Sequence, residues 1–306
     1  MTLPSRRSET DLKLLRVFAT IVACGGFTPA QMQLNVSAAT ISGQMAELER
    51  RLGLRLCERG RSGFRVTEAG RKVLEAANHL FEAHRSFQSS VANLRGETVG
   101  ILRLGIVDNT ITNPDARIRE ALGRVAQAAE GIQIAITIGE PVSLERALLE
   151  GRADAAIAAF HHHAPGLAYE PLFREEQALY CGKGHPLFRR APDKVSIEEI
   201  NRCRYVARGY MGERQTPRLI SPRRAGTSDH MEPIALLILS GQYIGYLPVH
   251  YALTWERTGS MRPLLPESLS YTSRFEIAYR RARLREPLLQ CLVGELREAH
   301  RAAGSL

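Results

Sequence analysis

Ser37-Ala38-Ala39-Thr40-Ile41-Ser42-Gly43-Gln44-Met45-Ala46-Glu47-Leu48-Glu49-Arg50-Arg51-Leu52-Gly53 is the stretch that decides the fold of the N-terminal part. Ser37 offers a side-chain oxygen to the free N–H groups of a helix start, and Gly53 suits a helix end, so a helix from Ala38 to Leu52 is predicted. Ala38, Ile41, Met45, Leu48 and Leu52 recur at 3-4-3-4 spacing, which turns one face to a core. The opposite face carries Ala39, Thr40, Gly43, Ala46, Glu47 and Arg50, small residues apart from the last two. A solvated helix ordinarily carries Lys and Glu there. Small residues let the backbone approach another surface closely. That surface is either a helix of another protein or the major groove of double-stranded DNA, where Ala and Thr methyls pack on thymine methyls.

Towards the N-terminus, Leu12, Leu15, Phe18, Ala19 and Val22 predict an amphipathic helix over 10–24, ended by Gly25-Gly26. In Thr28-Pro29-Ala30-Gln31, Thr28 is the expected cap of a short second helix, with Pro29 in its first turn and Gln31 completing a capping box. Asn35-Val36-Ser37 makes the turn into the third, so the two helices have the shape of a helix-turn-helix. Towards the C-terminus, Leu54–Cys57 and Phe64–Val66 predict a hairpin with a basic tip, Arg59-Gly60-Arg61-Ser62-Gly63. As a wing, its arginines would meet phosphates, which position a protein without reading sequence. Between residues 50 and 72 stand eight bases, including Arg50, Arg59, Arg61 and Arg65, against Glu58 and Glu68. Such density suits a polyanion partner, although a solvated basic face has the same composition.

The run Leu12…Phe18, Gly26-Phe27-Thr28, Ser37…Ile41-Ser42, Leu48-Glu49-Arg50-Arg51-Leu52-Gly53, Leu56, Glu58-Arg59 and Val66-Thr67-Glu68-Ala69-Gly70 resembles the winged helix-turn-helix of LysR-type transcriptional regulators. The match spans about sixty residues at the family's spacing. Pro29 stands where the family usually has Ala, and Cys57 where it usually has Phe. Gly43 stands where a long side chain often reaches base edges, leaving more of the specificity to Ser42, Gln44 or DNA shape. The expected DNA contacts are Thr28, Ser37, Ala39, Thr40, Ser42, Gly43, Gln44, Arg50, Arg59 and Arg61.

Thr67 is placed to cap a further helix from Glu68 to Arg95. Along it Val73, Ala77, Leu80, His84, Phe87, Val91 and Leu94 recur at 4-3-4-3-4-3 spacing, the seam of a heptad repeat that wants a partner helix. His84 in that seam sets register or senses pH. The resemblance implies that this is the linker helix through which two chains pair.

From Gly96 the texture changes. Strands are predicted at Gly100–Val107, Ile132–Ile138 and Ala153–Ala159, with helices over 115–129 and Leu144–Leu149 between them, which means βαβ units and a mostly parallel sheet. A second group holds strands Leu167–Phe173, Gln177–Cys181, Arg204–Ala207 and Tyr243–Pro248 with a helix near 229–240. Strand Phe275–Arg280 and helix Glu286–Arg301 follow. Gly151-Arg152-Ala153-Asp154-Ala155-Ala156-Ile157 and Gly184-His185-Pro186-Leu187 resemble the effector domain of the same family, two subdomains like those of periplasmic binding proteins. Asp154 is expected to be structural.

Three parts are therefore expected: a winged helix-turn-helix over 1–67, a dimerising linker helix over 68–96 and an α/β effector-binding domain over 97–306. In open α/β sheets ligands sit beyond the carboxyl ends of strands. That selects Asp108, Asn109, Thr110, Phe160, His161, Arg208, Thr227 and Ser228. Helix N-termini and Arg208 favour an organic anion there, whereas Asp108 favours an amine.

Composition limits the rivals. The chain has 306 residues and a net charge of +9, with 44% apolar residues, and the longest aliphatic run, Ile234–Leu239, is too short to span a bilayer. Met1–Ser8 is polar, so no secretory leader and a cytoplasmic location are expected. The cysteines, Cys24, Cys57, Cys181, Cys203 and Cys291, are odd in number and form no CxxC pair, which suits buried thiols; a redox pair of Cys181 and Cys203 is the alternative. His161-His162-His163 cannot all point one way, and neither metal nor cofactor is expected. No nucleophile elbow, P-loop or dinucleotide fingerprint supports an enzyme built on 97–306, and a solute-binding protein would lack the basic N-terminus. The expected partners are double-stranded DNA, a small-molecule effector, further copies of the chain as a homodimer or homotetramer and, as the family implies, RNA polymerase.

Overall fold

The computed structural model describes residues 7–60, 63–94, 100–128, 131–191, 194–211 and 219–302. The chain divides into two compact units, residues 1–91 and 92–306. Among the described residues no helix is long and apolar enough to cross a membrane.

The first unit contains α1 (Arg7–Ala23), α2 (Phe27–Leu34), α3 (Ala38–Leu52), the antiparallel hairpin β1 (Cys57–Gly60) and β2 (Gly63–Val66), and most of α4 (Glu68–Leu94). Its core is Phe18, Ile21, Ala30, Ile41, Met45, Leu48 and Leu56, all buried. Each large side chain buried this way contributes about 1.5–3 kcal/mol. Gly25, at φ +70°, turns the chain after α1, and Gly26 N–H closes onto Ile21 O at 3.0 Å. Thr28 is not the cap of α2: the helix begins at Phe27, the cap is Gly26, and no side chain bonds there. The glycine turn carries the chain directly into α2, so Thr28 falls inside its first turn.

Ser37 does cap α3, its Oγ accepting from Thr40 N–H at 3.2 Å, and Gly53 closes the helix at φ +65°. Ile41, Met45 and Leu48 are buried, but Ala38 and Leu52, expected inward, are exposed, because the helix outruns the core it covers at both ends. Two side chains hold the exit from α3. Glu49 Oε1 accepts from Leu56 N–H at 2.7 Å and Cys57 N–H at 3.2 Å. Thr67 Oγ1 accepts from Gly70 N–H at 2.9 Å and donates to Arg55 O at 2.7 Å, tying the start of α4 to the strand approach. Arg59 is a strand residue of β1 rather than part of the tip; Gly60 pairs with Gly63, and Arg61 lies outside the described residues.

The second unit holds β3 (Gly100–Ile106), α5 (Ile118–Ala128), β4 (Ile132–Ile138), α6 (Pro141–Leu149), β5 (Ala155–Ala158) and β6 (Leu167–Gly182). It continues with α7 (Ile197–Arg202), β7 (Arg204–Arg208), β8 (Arg223–Ser228), α8 (Met231–Leu239), β9 (Ile244–Pro248) and α9 (Val249–Arg257). It ends with β10 (Met261–Pro263), α10 (Pro266–Leu269), β11 (Tyr271–Arg280) and α11 (Pro287–Ala302). One sheet runs β4-β3-β5-β11-β6-β9-β7-β8, with β10 on β6. The sheet is mixed rather than mostly parallel. β4-β3-β5 and β9-β7-β8 are parallel groups, and β11 and β6 lie between them, antiparallel to each other and to their neighbours β5 and β9.

This makes two lobes joined by two long strands. The first packs Leu102, Ile118, Ile157 and Leu292 on one sheet face and Leu144, Leu148 and Ala156 on the other. The second packs Leu179, Ile200 and Ile244 on one face and Ile234, Ile238 and Leu247 on the other. β6 is a single strand where two are expected, because Glu175 and Gln177 are buried within it and satisfied by side chains from elsewhere. Asp154 is structural: its carboxylate accepts from Arg103 N–H at 2.7 Å and Arg283 Nη1 at 2.6 Å.

Candidate functional site

Two sites follow from these folds. In the first unit, α3 presents Ala39, Thr40, Gly43, Ala46 and Arg50 as exposed residues, with Ser42 and Gln44 half-buried beside them. A Cβ built on Gly43 meets nothing within 4 Å, so this position is bare by choice of residue and not by crowding. Thr28 and Ser37 are exposed near the starts of α2 and α3. Arg50 is not a free cation. Its Nε and Nη2 donate to Glu47 at 2.8 and 2.7 Å, and Arg51 Nε joins at 2.6 Å. These hydrogen bonds hold the Glu47 carboxyl down at about 2. Arg65 is likewise paired with Glu58 at 2.7 Å.

The α4 seam divides. Val73 and Ala77 pack into the core of their own unit, where Leu74 and Phe81 join them. They are therefore not bare seam positions, which corrects the expectation of one continuous stripe. Leu80 and Phe87 are 46% and 66% exposed, apolar side chains with little covering them. His84 and Val91 are half-buried, and the side chain of Leu94 lies outside what is described.

In the second unit a cavity of about 20 Å³ is lined by Val107, Asp108, Pro141, Ala159, His161, Glu175, Arg208, Tyr210, Met231, Pro248, Ser273 and Phe275. It has room for one or two waters. The lining comes from the strand ends after β3, β5 and β7, the starts of α6 and α8, and the connecting strands β6 and β11. Arg208 is buried, and among the described residues its Nε has no hydrogen-bond partner. Its Nη2 donates to Gln177 Oε1 at 2.7 Å. Gln177 Nε2 donates to Glu175 Oε2 at 2.5 Å, and His250 Nε2 donates to Glu175 Oε1 at 2.9 Å. His250 Nδ1 lies 2.8 Å from Thr112 Oγ1. A chain of polar groups thus runs from β7 through β6 to α9 and the turn after β3. Partial burial at the cavity, and then the charge of Arg208, push the pKa of His161 down.

Of the eight residues expected around a ligand, Asp108, His161 and Arg208 line the cavity. Asn109 and Thr110 do not: Asn109 takes a left-handed conformation and bonds Asp108, and Thr110 is buried in the following turn. Phe160 is buried against Tyr169. Thr227 is exposed on β8, and Ser228 Oγ is engaged with the backbone of His230. Glu175, Tyr210, Met231 and Ser273 were not singled out. The signal for Glu175 was a polar pair, Glu175 and Gln177, at strand alternation between two apolar runs. His163 bonds Glu276 at 2.9 Å and stacks on Tyr169, so the histidine triplet is divided between two surroundings. Cys181 is buried, which pushes its thiol up to about 12 and leaves it without thiolate character for redox chemistry.

Comparison with known proteins agrees with both units. Residues 12–71 match the model of the bacterial regulatory helix-turn-helix protein of the lysR family, and residues 95–301 match the LysR substrate binding domain. The HTH-type transcriptional activator BauR of Pseudomonas aeruginosa is 40% identical over 280 residues, covering 90% of this chain and 91% of BauR. The crystal structure of CbnR, a LysR family transcriptional regulator, is similar at a TM-score of 0.64 and 20% identity, covering 94% of this chain and 99% of CbnR. The structure of full-length CbnR complexed with target DNA is similar at a TM-score of 0.62 and 20% identity, over 94% and 99%. This chain belongs to the LysR-type transcriptional regulators, ligand-responsive DNA-binding proteins and not enzymes.

Proposed function

We propose that α3 enters the major groove, that the hairpin arginines hold flanking phosphates, that α4 pairs two copies, and that a small molecule in the Arg208 cavity shifts residues 97–306 between two forms. The division into a DNA-binding part over 1–67, a linker helix over 68–96 and an effector part over 97–306 follows from those roles. The observation that carries the reading is the bare small-residue face of α3. Such a face lets a helix backbone lie against base edges, with Ala39 and Thr40 methyls for thymine and Gln44 for adenine. The DNA complex of CbnR, a protein of similar fold, supports it. Thr28 and Ser37 are exposed near the starts of α2 and α3, and helix N-termini favour anions, which supports a phosphate role for them. The compartment is the cytoplasm, where the DNA lies, and RNA polymerase is the further partner. A ligand can act only by binding one form better than the other.

The test is fluorescence anisotropy of duplex DNA taken from upstream of the gene, read across a salt series. Arg59→Ala and Arg61→Ala are each expected to lower affinity equally on all sequences and to flatten the log–log salt slope by about 0.9 per lost phosphate contact. A loss confined to one base pair would contradict the phosphate role.

Pairing through α4 has its own measurement. Leu80→Asp and Phe87→Asp place a charge on the exposed apolar stretch, where pairing would bury it unpartnered. Sedimentation is expected to show smaller species, with DNA binding at least about tenfold weaker, equivalent to roughly 1.4 kcal/mol. Wild-type sedimentation by both variants would remove α4 as the pairing surface. The wild-type mass separates dimer from tetramer.

A further inference from the structure

The cavity in the second unit is lined by three charged groups, of which Arg208 and Asp108 are opposite in sign and do not meet each other. Arg208 is buried, and among the described residues its Nε has no partner; the groups bonded to it are neutral, Gln177 Oε1 at 2.7 Å and the Tyr210 phenol, while Glu175 acts on it only through its charge. A buried guanidinium with no anion bonded to it is under-satisfied, and a bound carboxylate relieves that. Asp108 lines the same cavity. One of its oxygens, Oδ2, accepts from Met231 N–H at 2.6 Å and Asn109 Nδ2 at 3.1 Å, with His230 Nδ1 at 3.7 Å. Among the described residues no ion pair joins Asp108 to Arg208. Tyr210 lies within electrostatic reach of both. The third charge, Glu175, is already served by His250 Nε2 at 2.9 Å and Gln177 Nε2 at 2.5 Å.

We infer that the cavity takes a small zwitterion, an amino acid whose carboxylate docks on Arg208 and whose ammonium is held by Asp108. The inference rests on the reading of this cavity as the effector site and goes on to name the ligand class. A plain carboxylate would satisfy Arg208 but stand against the carboxylates of Asp108 and Glu175. A plain amine would suit Asp108 and add a second cation beside the Arg208 guanidinium. A molecule with both groups satisfies each charge and repels neither, so the discrimination is built from repulsion as well as attraction. At about 20 Å³ the cavity in this form holds only one or two waters, so an amino acid is taken by a more open form, and a short chain without a bulky side group asks the least opening.

The experiment is calorimetric titration of the full-length protein with three matched series: glycine and longer straight-chain ω-amino acids, monocarboxylates of the same length, and monoamines of the same length. A short amino acid is expected to bind about tenfold or more tightly than the acid or amine of its length. Arg208→Gln and Asp108→Asn are each expected to remove most of that margin. Asparagine keeps an oxygen for Met231 N–H, so the start of α8 stays capped, and a thermal melt reports whether each variant is folded. If monocarboxylates bind as tightly as amino acids and Arg208→Gln removes both, the cavity is an effector site for a plain anion and the zwitterion falls. If amines bind as tightly and only Asp108→Asn matters, it falls in favour of a cation. If nothing in the three series binds, the zwitterion falls; if binding survives both variants, the cavity is not the effector site, and the reading beneath the inference falls with it.

Discussion

Gly70→Ala is expected to destabilise the DNA-binding unit by about 3 kcal/mol or more, the upper range for forcing atoms into a filled space. Gly70 sits in the first turn of α4, where its N–H bonds the Thr67 cap. A Cβ there would stand inside van der Waals distance of the Leu56 carbonyl oxygen, with Val66 Cγ1 at 2.8 Å. Leu56 cannot retreat, because its own N–H is held by Glu49 and its side chain is fully buried. The helix start would have to lift away from the approach to β1, breaking the Thr67 bond to Arg55 as well. For a unit of this size each kcal/mol moves the melting temperature by roughly 4–8 °C, so a fall of about 12 °C or more is expected in a thermal melt followed by circular dichroism. Gly43→Ala is the matched control. It makes the same chemical change in an open helix interior, and is expected to raise stability by about 0.5–1 kcal/mol. Equal melting of Gly70→Ala and wild type would mean that α4 packs on the hairpin more loosely than the structure shows.

How much of this was legible beforehand varies with how local the cause is. The ends of α3 were legible to the residue, since Ser37 and Gly53 are its neighbours in sequence, while its apolar spacing overstated the buried face at Ala38 and Leu52. The start of α2 was misread because two capping devices competed: Thr28 had the right chemistry, but the glycine turn at Gly25-Gly26 had already set the chain direction. The α4 seam is a pattern in the sequence that does not say what covers each position. Val73 and Ala77 are covered by the core of their own unit, which no periodicity can reveal. In the second unit the strands β3 and β4 follow from apolar runs. β8, with the sequence Arg-Arg-Ala-Gly-Thr-Ser, carries no such signal and owes its place to pairing with β7. The strand-end rule found Asp108, His161 and Arg208. It missed Glu175 and Ser273, which line the cavity from the connecting strands; the buried Glu175 carboxylate is made tolerable by His250, a partner far away in sequence.

Gly43→Glu is expected to abolish specific DNA binding while leaving the fold intact, and this separates the two roles a helical glycine can have. A glycine inside a helix lowers stability by about 1 kcal/mol relative to alanine, so it needs a reason. Crowding supplies that reason at Gly70 and not at Gly43, whose Cβ position is open space on an exposed face. The remaining explanation is what approaches that face. A glutamate there adds length and a negative charge against base edges and phosphates, and like charges brought together at an interface are penalised by several kcal/mol. A penalty of about 3 kcal/mol corresponds to roughly a hundredfold weaker binding. Anisotropy on operator DNA is the measurement, with a thermal melt of the same sample confirming that α3 is folded. Gly43→Gln separates bulk from charge. It adds nearly the same length without the carboxylate, and its amide can bond adenine, so it is expected to retain binding while changing base preference by about 1–3 kcal/mol at one position. If Gly43→Glu binds operator like wild type, the exposed face of α3 does not meet DNA, and the small residues along it belong to a contact with another protein helix instead.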